Sequence, residues 1–365
     1  MSRSVLILAP TTDPHAAALD WALRLQGVDS LWTPSLPTGP DTGYGFHLDA
    51  QAEHLSGRVA GGDRFGAIWN RRLEDPAPEC AEADRTFVTW EWKLFQRNLF
   101  TLEGAYGDAL WVNRAEAARR AENKLVQLQV CRRLGLAFPE TVVSNDAQQV
   151  RALREKWGRI VFKSFLMHQW EQRDSGRKYA VGVTLLDERS ELPPAAIAVC
   201  PGIYQRYIEK ACDLRVTVMG EHFFAMSLRK AEGDAYVDWR PHSKEPSMRA
   251  EAVSLSAAVE GKLRALMREL GLVFGCIDLV VDKQGDVYFL EVNQAGQFLF
   301  VEEMVPDYPV LRAMTALLAS GRTDFDVSSV PTAVTMKAFM DSEAYGALTE
   351  RVRGKTPDRR LFSLE

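Results

Sequence analysis

Residues 274–293 read FGCIDLVVDKQGDVYFLEVN, two apolar runs joined by the turn Asp282-Lys283-Gln284-Gly285. Apolar, β-branched runs on either side of a Gly-containing turn predict an antiparallel hairpin, with strands Phe274–Val281 and Val287–Val292. Asp278 lies in one strand, and Glu291 and Asn293 lie at the end of the other. Side chains two apart on a strand share a face, so Glu291 and Asn293 point the same way. The turn folds Asp278 back to within a residue or two of them. Acids at the ends of apolar runs are costly to bury unpaired, and a cation is a natural reason for them. Two carboxylates and an amide oxygen are hard ligands of the kind magnesium accepts when substrate phosphates complete its octahedron. Taken alone, the same residues also read as a hairpin whose acids reach solvent, because short motifs recur by chance.

The rest of the chain reads as α/β. Val5–Ala9 is a buried-strand run followed by a helical stretch, Pro14–Leu25. Strand candidates recur near Leu31, at Ala67–Asn70 and at Leu110–Asn113, with a helix over Ala81–Thr101 whose Trp90, Trp92, Phe95, Leu99 and Leu102 read as core. Residues 1–113 therefore predict a small N-terminal α/β domain. Arg114–Leu134 predicts one helix stopped by Gly135. Thr141–Val143, Asp146–Lys156 and Ile160–Lys163 alternate strand, helix and strand, placing a second unit at 114–202. Strands are then expected at Ala180–Leu185, Ile203–Tyr207, Leu214–Met219, His222–Arg229 and Tyr236–Arg240, with a hairpin turn at Gly220-Glu221. A helix over Glu251–Leu270 and the last hairpin complete a third unit at 203–321. Residues 322–365 form an appended tail with a helix around Thr335–Arg353.

With 365 residues the chain suits two or three packed subdomains. A net charge of −5 argues against a general nucleic-acid or membrane-surface binder, since either needs a basic excess. The five cysteines are scattered and odd in number, without metal-site spacing, and read as reduced thiols of a cytoplasmic protein. The N-terminal apolar run is too short for a signal peptide, and no run suits a membrane span.

Two lysines are placed to meet phosphates. Lys163 ends the apolar strand Ile160-Val161-Phe162, and Lys124 sits in the helix. A solvated lysine is the commoner fate of either. The segment Tyr204-Gln205-Arg206-Tyr207-Ile208 can offer its backbone to an adenine edge, and Asp213 beyond it can hold ribose hydroxyls.

In order along the chain these residues resemble the ATP-grasp superfamily over about residues 110–320. The landmarks are Lys124, Lys163, the inter-lobe segment Gln205-Arg206-Tyr207-Ile208, Asp213, and the set Asp278, Glu291 and Asn293. ENKLVQLQVCRRLGL (122–136), IYQRYIEKACDLRVTVMG (203–220), VDWR (237–240), LGLVFGCIDLVV (270–281) and FLEVNQAGQFLFVEE (289–303) are similar to a peptide-modifying branch. Its members are the synthetases of microviridin- and plesiocin-like graspetides, relatives of the ribosomal-protein glutamate ligases. The resemblance implies an α/β domain ahead of two grasp subdomains that close over ATP and Mg2+. It implies a carboxylate activated as an acyl phosphate and joined to a hydroxyl or amine, as an ester or amide macrocycle on a ribosomal peptide. An ATP-grasp amide ligase for a free amino acid or small metabolite, a phosphotransferase, and a non-catalytic nucleotide- or peptide-binding module are the alternatives. A homodimer is expected by the same resemblance.

Within that reading, Arg229 and Arg240 are candidates for the transferred phosphoryl group and the acyl phosphate, since a guanidinium fork matches such oxygens. Arg71 and Arg72 at a strand end are candidates for an acidic peptide or small carboxylate substrate. His242 and His168 are candidate proton acceptors. Two departures from the family pattern stand out. The stretch Ser164-Phe165-Leu166-Met167-His168-Gln169-Trp170 lacks the glycine-rich phosphate loop, and the tail after Gly321 exceeds the core family.

Overall fold

The computed structural model describes residues 4–39, 42–48, 50, 53–57, 65–102, 106, 108–165, 169–171, 178–180, 182–231, 236–243 and 245–353. The first apolar run forms β1 (Ser4–Leu8). Helix α1 (Pro14–Leu25) follows, with Asp13 accepting from the His15 and Ala16 amides as its N-cap and Pro14 in its first turn. Beyond β2 (Ser30–Thr33), the strands β3 (Tyr44–Leu48) and β4 (Glu53–Gly57) pair as a hairpin that the sequence pattern does not announce. β5 (Phe65–Asn70) and β6 (Leu110–Val112), linked by α2 (Arg85–Thr101), complete a parallel sheet in the order β2-β1-β5-β6. Alternation along β1 splits the core. Val5 and Ile7 face α1, whereas Leu6 and Leu8 face Leu99 and Phe100 of α2. Trp90, expected in the core, instead lies 56% exposed on the outer side of α2.

The expected helix over 114–134 is two helices, α3 (Ala115–Glu122) and α4 (Lys124–Leu134). Asn123 breaks it, because its side chain accepts from the Leu125 and Val126 amides and caps α4. Lys124 is therefore the first residue of a helix rather than an interior one. β7 (Thr141–Ser144), α5 (Ala147–Trp157) and β8 (Ile160–Lys163) lead to a short hairpin of β9 (Gln169–Glu171) and β10 (Lys178–Ala180). The expected strand Ala180–Leu185 divides between β10 and β11 (Thr184–Leu186), and α6 (Pro194–Ala198) and β12 (Gly202–Arg206) close an antiparallel sheet, β11-β8-β12-β7.

The third sheet is antiparallel throughout. β13 (Lys210–Met219), β14 (His222–Lys230), β15 (Met248–Ala252), β16 (Phe274–Asp282) and β17 (Val287–Asn293) run in the order β15-β14-β13-β16-β17. Its back packs on α4 and α7 (Ala257–Leu270) through Val216, Ile277, Leu279 and Leu266. Two expectations fail here. Tyr236–Arg240 is no strand, since Arg240 opens a 3-10 turn after Trp239. The helix begins at Ala257 rather than Glu251, because Met248–Ala252 pairs with β14 and Ser256 supplies the N-cap.

After α8 (Phe300–Met304) and α9 (Val310–Ser320), the segment expected as a tail helix splits into α10 (Met336–Met340) and α11 (Glu343–Arg353). It is not loosely appended. Phe339 and Leu348 are buried in the same core as α1 and α9, and Arg351 donates to the Thr11 carbonyl at 2.8 Å.

Candidate active site

A β-bulge builds the centre of the site. β16 and β17 pair with Asp278 opposite Glu291 and Leu279 opposite Phe289, which leaves Leu290 as the extra residue. Without it, Phe289 and Glu291 would share a face. With it, Phe289 and Val292 stay in the core while Glu291 and Asn293 line the front cleft. Gln127 of α4 fixes this strand end, accepting from the Val292 amide and donating to its carbonyl, each at 2.9 Å.

Two acids directly opposed across a ladder repel one another, so their neighbours must compensate. Lys124, at the mouth of α4, donates to Glu291. Arg240 donates one nitrogen to both acids, at 2.6 Å to Asp278 and 3.0 Å to Glu291. Arg215, nearly fully buried on β13, donates to Asp278 at 2.8 Å. Burial pushes the Glu291 carboxyl up, but Lys124 and Arg240 outweigh it and hold the pKa at about 2. Burial alone would lower Arg240; Asp278, Asp238 and Glu291 reverse that and raise it.

The facing wall comes from the second sheet. Lys163 ends β8 and donates to Gln205 Oε1 at 2.8 Å, and Gln205 in turn donates to Thr141 at 3.0 Å. Burial pulls the Lys163 amine down to about 8, with Glu291 opposing and Lys124 and Arg240 adding to the fall. Arg206, Tyr207 and Ile208 line the same wall, with the Arg206 guanidinium stacked 4.0 Å over Trp157. Asp213 is buried and held by Lys210 at 2.9 Å; burial raises its pKa and Lys210 offsets part of that. Lys124, Lys163, Gln205–Ile208, Asp213, Arg240, Asp278, Glu291 and Asn293 thus line one cleft of about 510 Å3.

The structure does not bring the other candidates into that cleft. Arg229 forms an exposed pair with Glu251, both oxygens at 2.8 Å, on the far face of β14. Its position was legible: the hairpin turn pairs Asp213 with Leu228, so Arg229 falls on the opposite side. His242 turns to Glu245 at 2.6 Å. Arg71 is buried against Asp13, while Arg72 is exposed; both border a neighbouring cleft of about 490 Å3, which shares Glu122, Asn293 and Gln294 with the first. His168 lies outside the described residues, whereas Ser164 and Phe165 of the glycine-poor stretch line the main cleft.

Arg215, Lys210 and Asp238 escaped the sequence reading. For Arg215 the alternation in Asp213-Leu214-Arg215-Val216-Thr217 held the signal, since its polar members share one face of β13 and its apolar members the core on the other. Among the described residues no three His, Cys, Asp or Glu side chains cluster as a metal cage. Two carboxylates beside an amide leave room for the substrate oxygens that magnesium requires.

No protein-family model matches the chain, and no curated protein matches it. Among solved structures, a RiPP-associated ATP-grasp ligase of Chryseobacterium gregarium, in complex with ADP and a leader and core peptide, is similar at 19% identity and a TM-score of 0.73, covering 88% of this chain and 98% of that one. Macrocyclase MdnC of Microcystis aeruginosa, bound with precursor peptide MdnA, is similar at 22% identity and a TM-score of 0.67, over 86% and 98% of the two chains. The ATP-grasp ligase PsnB, complexed with a phosphomimetic variant of its minimal precursor, Mg and ADP, is similar at 20% identity and a TM-score of 0.63, over 88% and 100%. A parallel N-terminal sheet ahead of two antiparallel sheets, in chains matched almost end to end, establishes that this protein has the ATP-grasp fold.

Proposed function

We propose that the chain is an ADP-forming ligase that uses ATP to activate a side-chain carboxylate of a ribosomally made acidic peptide and joins it to a hydroxyl or amine of that peptide. The observation that carries this reading is the convergence of Lys124, Lys163, Arg240, Asp278, Glu291 and Asn293 on one cleft between two antiparallel sheets. The peptides named with the three similar structures support the choice of substrate. All five cysteines are unpaired, which favours a cytoplasmic setting, and among the described residues no helix is long and apolar enough to cross a membrane.

Asp278, Glu291 and Asn293 would hold magnesium, and their hard oxygen donors fit it. Bound there, the ion neutralises phosphate charge. Lys124 and Lys163 add positive charge from opposite walls. Arg240, held at the acid pair, is aimed to stabilise the oxygens of the transferred group. A substrate carboxylate oxygen attacks the γ-phosphorus, the bond to the bridging oxygen breaks, and ADP leaves with the electron pair. The peptide hydroxyl or amine then attacks the acyl carbon, and phosphate departs with the electron pair and the proton. Arg72, facing the neighbouring cleft, is placed to receive an acidic substrate.

Incubation with Mg-ATP and an acidic Thr-, Ser- or Lys-containing precursor should yield a peptide lighter by one water per bond. A stable product heavier by a phosphate would mark a phosphotransferase instead, and amide formation only on free amino acids would mark a metabolite ligase. The Lys163 amine makes a pH prediction. Only its protonated form meets phosphate as a charge, and its pKa is depressed to about 8. The kcat/KM for ATP should therefore fall as pH rises through 8, and Lys163→Arg should flatten that limb because a guanidinium does not titrate there. An unchanged alkaline limb in Lys163→Arg would remove Lys163 from phosphate binding.

A further inference from the structure

The loop that leaves β17 begins directly after Asn293, and each backbone carbonyl from residue 294 to 297 is held by a side chain. Asn113, just past β6, donates to the Gln294 carbonyl at 3.1 Å. Arg71, just past β5, donates through Nη1 to the Ala295 and Gly296 carbonyls at 3.0 and 3.2 Å. Arg215 donates to the Gln297 carbonyl at 2.9 Å and, through its other nitrogen, to Asp278. Two of these three holders come from the carboxyl end of the N-terminal parallel sheet, more than 160 positions away in sequence.

Arg71 is itself fixed. Its Nε donates to both oxygens of Asp13 at 3.0 Å, with the two side chains 0% and 3% exposed. Asp13 is pinned in turn as the N-cap of α1. On the other side, the Ala295 amide donates to Asn293 Oδ1 at 3.0 Å, so Arg71 and Asn293 grip the same residue. The loop has no slack: a Cβ on Gly296 would lie 2.6 Å from the Cys276 Cβ.

We propose that Arg71, anchored by Asp13, is a positioning residue for the metal site: by clamping Ala295 and Gly296 it sets the orientation of the Asn293 amide and couples the N-terminal sheet to the end of β17. This rests on the ligase reading above. It gives Arg71 a task other than touching substrate, which its burial already disfavours. An outer partner that aims a ligand commonly governs metal affinity tenfold or more.

The test is calorimetric titration of the intact protein with ADP, with and without Mg2+, in wild type, Arg71→Lys and Asp13→Asn. Arg71→Lys keeps the charge beside Asp13 but cannot reach both carbonyls; Asp13→Asn keeps a capping side chain while removing the anchor charge. Wild type should bind ADP more tightly with Mg2+. In both variants that gain should shrink tenfold or more, while metal-free ADP affinity stays within about twofold of wild type. Thermal melting on the same samples reports folding. A lowered melting temperature with the Mg2+ gain intact would make the clamp merely structural and overturn the proposal. An intact gain with a raised KM for precursor peptide would make Arg71 a substrate contact and overturn it too. Wild-type protein with no affinity for ADP would instead sink the ligase reading and the proposal with it, an outcome visible before any variant is made.

Discussion

Glu291→Gln should lower turnover by two or more orders of magnitude, on the order of 3 kcal/mol of transition-state stabilisation. Glutamine keeps the size of the side chain and can still accept from Lys124 and Arg240, but it removes one of two negative charges facing the phosphates. The acid is not a solvent-facing hairpin residue, since the bulge at Leu290 turns it into the cleft directly across from Asp278. Nor is it unpaired, since Lys124 and Arg240 both donate to it. Two cations meet it, so the substitution also weakens an ion-pair cluster. The stability cost should be only about 1–2 kcal/mol, because Arg240 retains Asp278 and Asp238 and Lys124 is partly solvated. Turnover and thermal melting measured on the same preparation separate the effects. A folded Glu291→Gln protein with nearly full activity would overturn the metal assignment.

The second large effect is on stability. Gly220 turns the β13–β14 hairpin at φ +55°, and a Cβ placed there would stand 2.2 Å from the Thr323 carbonyl oxygen. That carbonyl accepts from the Glu221 amide at 3.0 Å, which ties the segment after α9 to the hairpin. Gly220→Ala must bear the left-handed penalty of about 1–2 kcal/mol and must also push the 322–330 segment off its hydrogen bond. A loss of about 3 kcal/mol and a Tm lower by several degrees are expected from denaturant and thermal unfolding. A melting curve matching wild type would show that the C-terminal segment is not packed on this turn.

Local spacing explains why much of the site could be read from the chain. Asp278, Glu291 and Asn293 sit on one hairpin, and Lys163 ends a strand whose apolar run is plain, so each position follows from short-range pattern. The bulge could not be foreseen, because nothing in Tyr288-Phe289-Leu290-Glu291 marks Leu290 as the extra residue. Arg229 and Arg240 were both candidates for the transferred group, with a plain surface ion pair the stronger alternative for Arg229. The hairpin register places Arg229 behind the sheet, whereas Arg240, in a 3-10 turn, meets both acids. The break at Asn123 was hidden inside an Ala-, Arg- and Leu-rich stretch whose helix propensity runs through it. Arg71 was legible as a charged strand end but not in its task, since its partners Asp13, Ala295 and Gly296 lie 58, 224 and 225 positions away. Trp90 shows the converse error: an aromatic at helical spacing was assigned to the core, and the helix turned it outward.

In the proposed reaction a peptide carboxylate captures the γ-phosphoryl group of ATP. A precursor whose acidic side chains carry heavy oxygen, incubated with the protein and Mg-ATP, tests it in one mass-spectrometric measurement of the released inorganic products. ADP should appear together with inorganic phosphate that holds one labelled oxygen for each bond formed, because that oxygen leaves the carboxylate with the phosphate. AMP and pyrophosphate as stoichiometric products, or phosphate free of label while the peptide loses water, would contradict it.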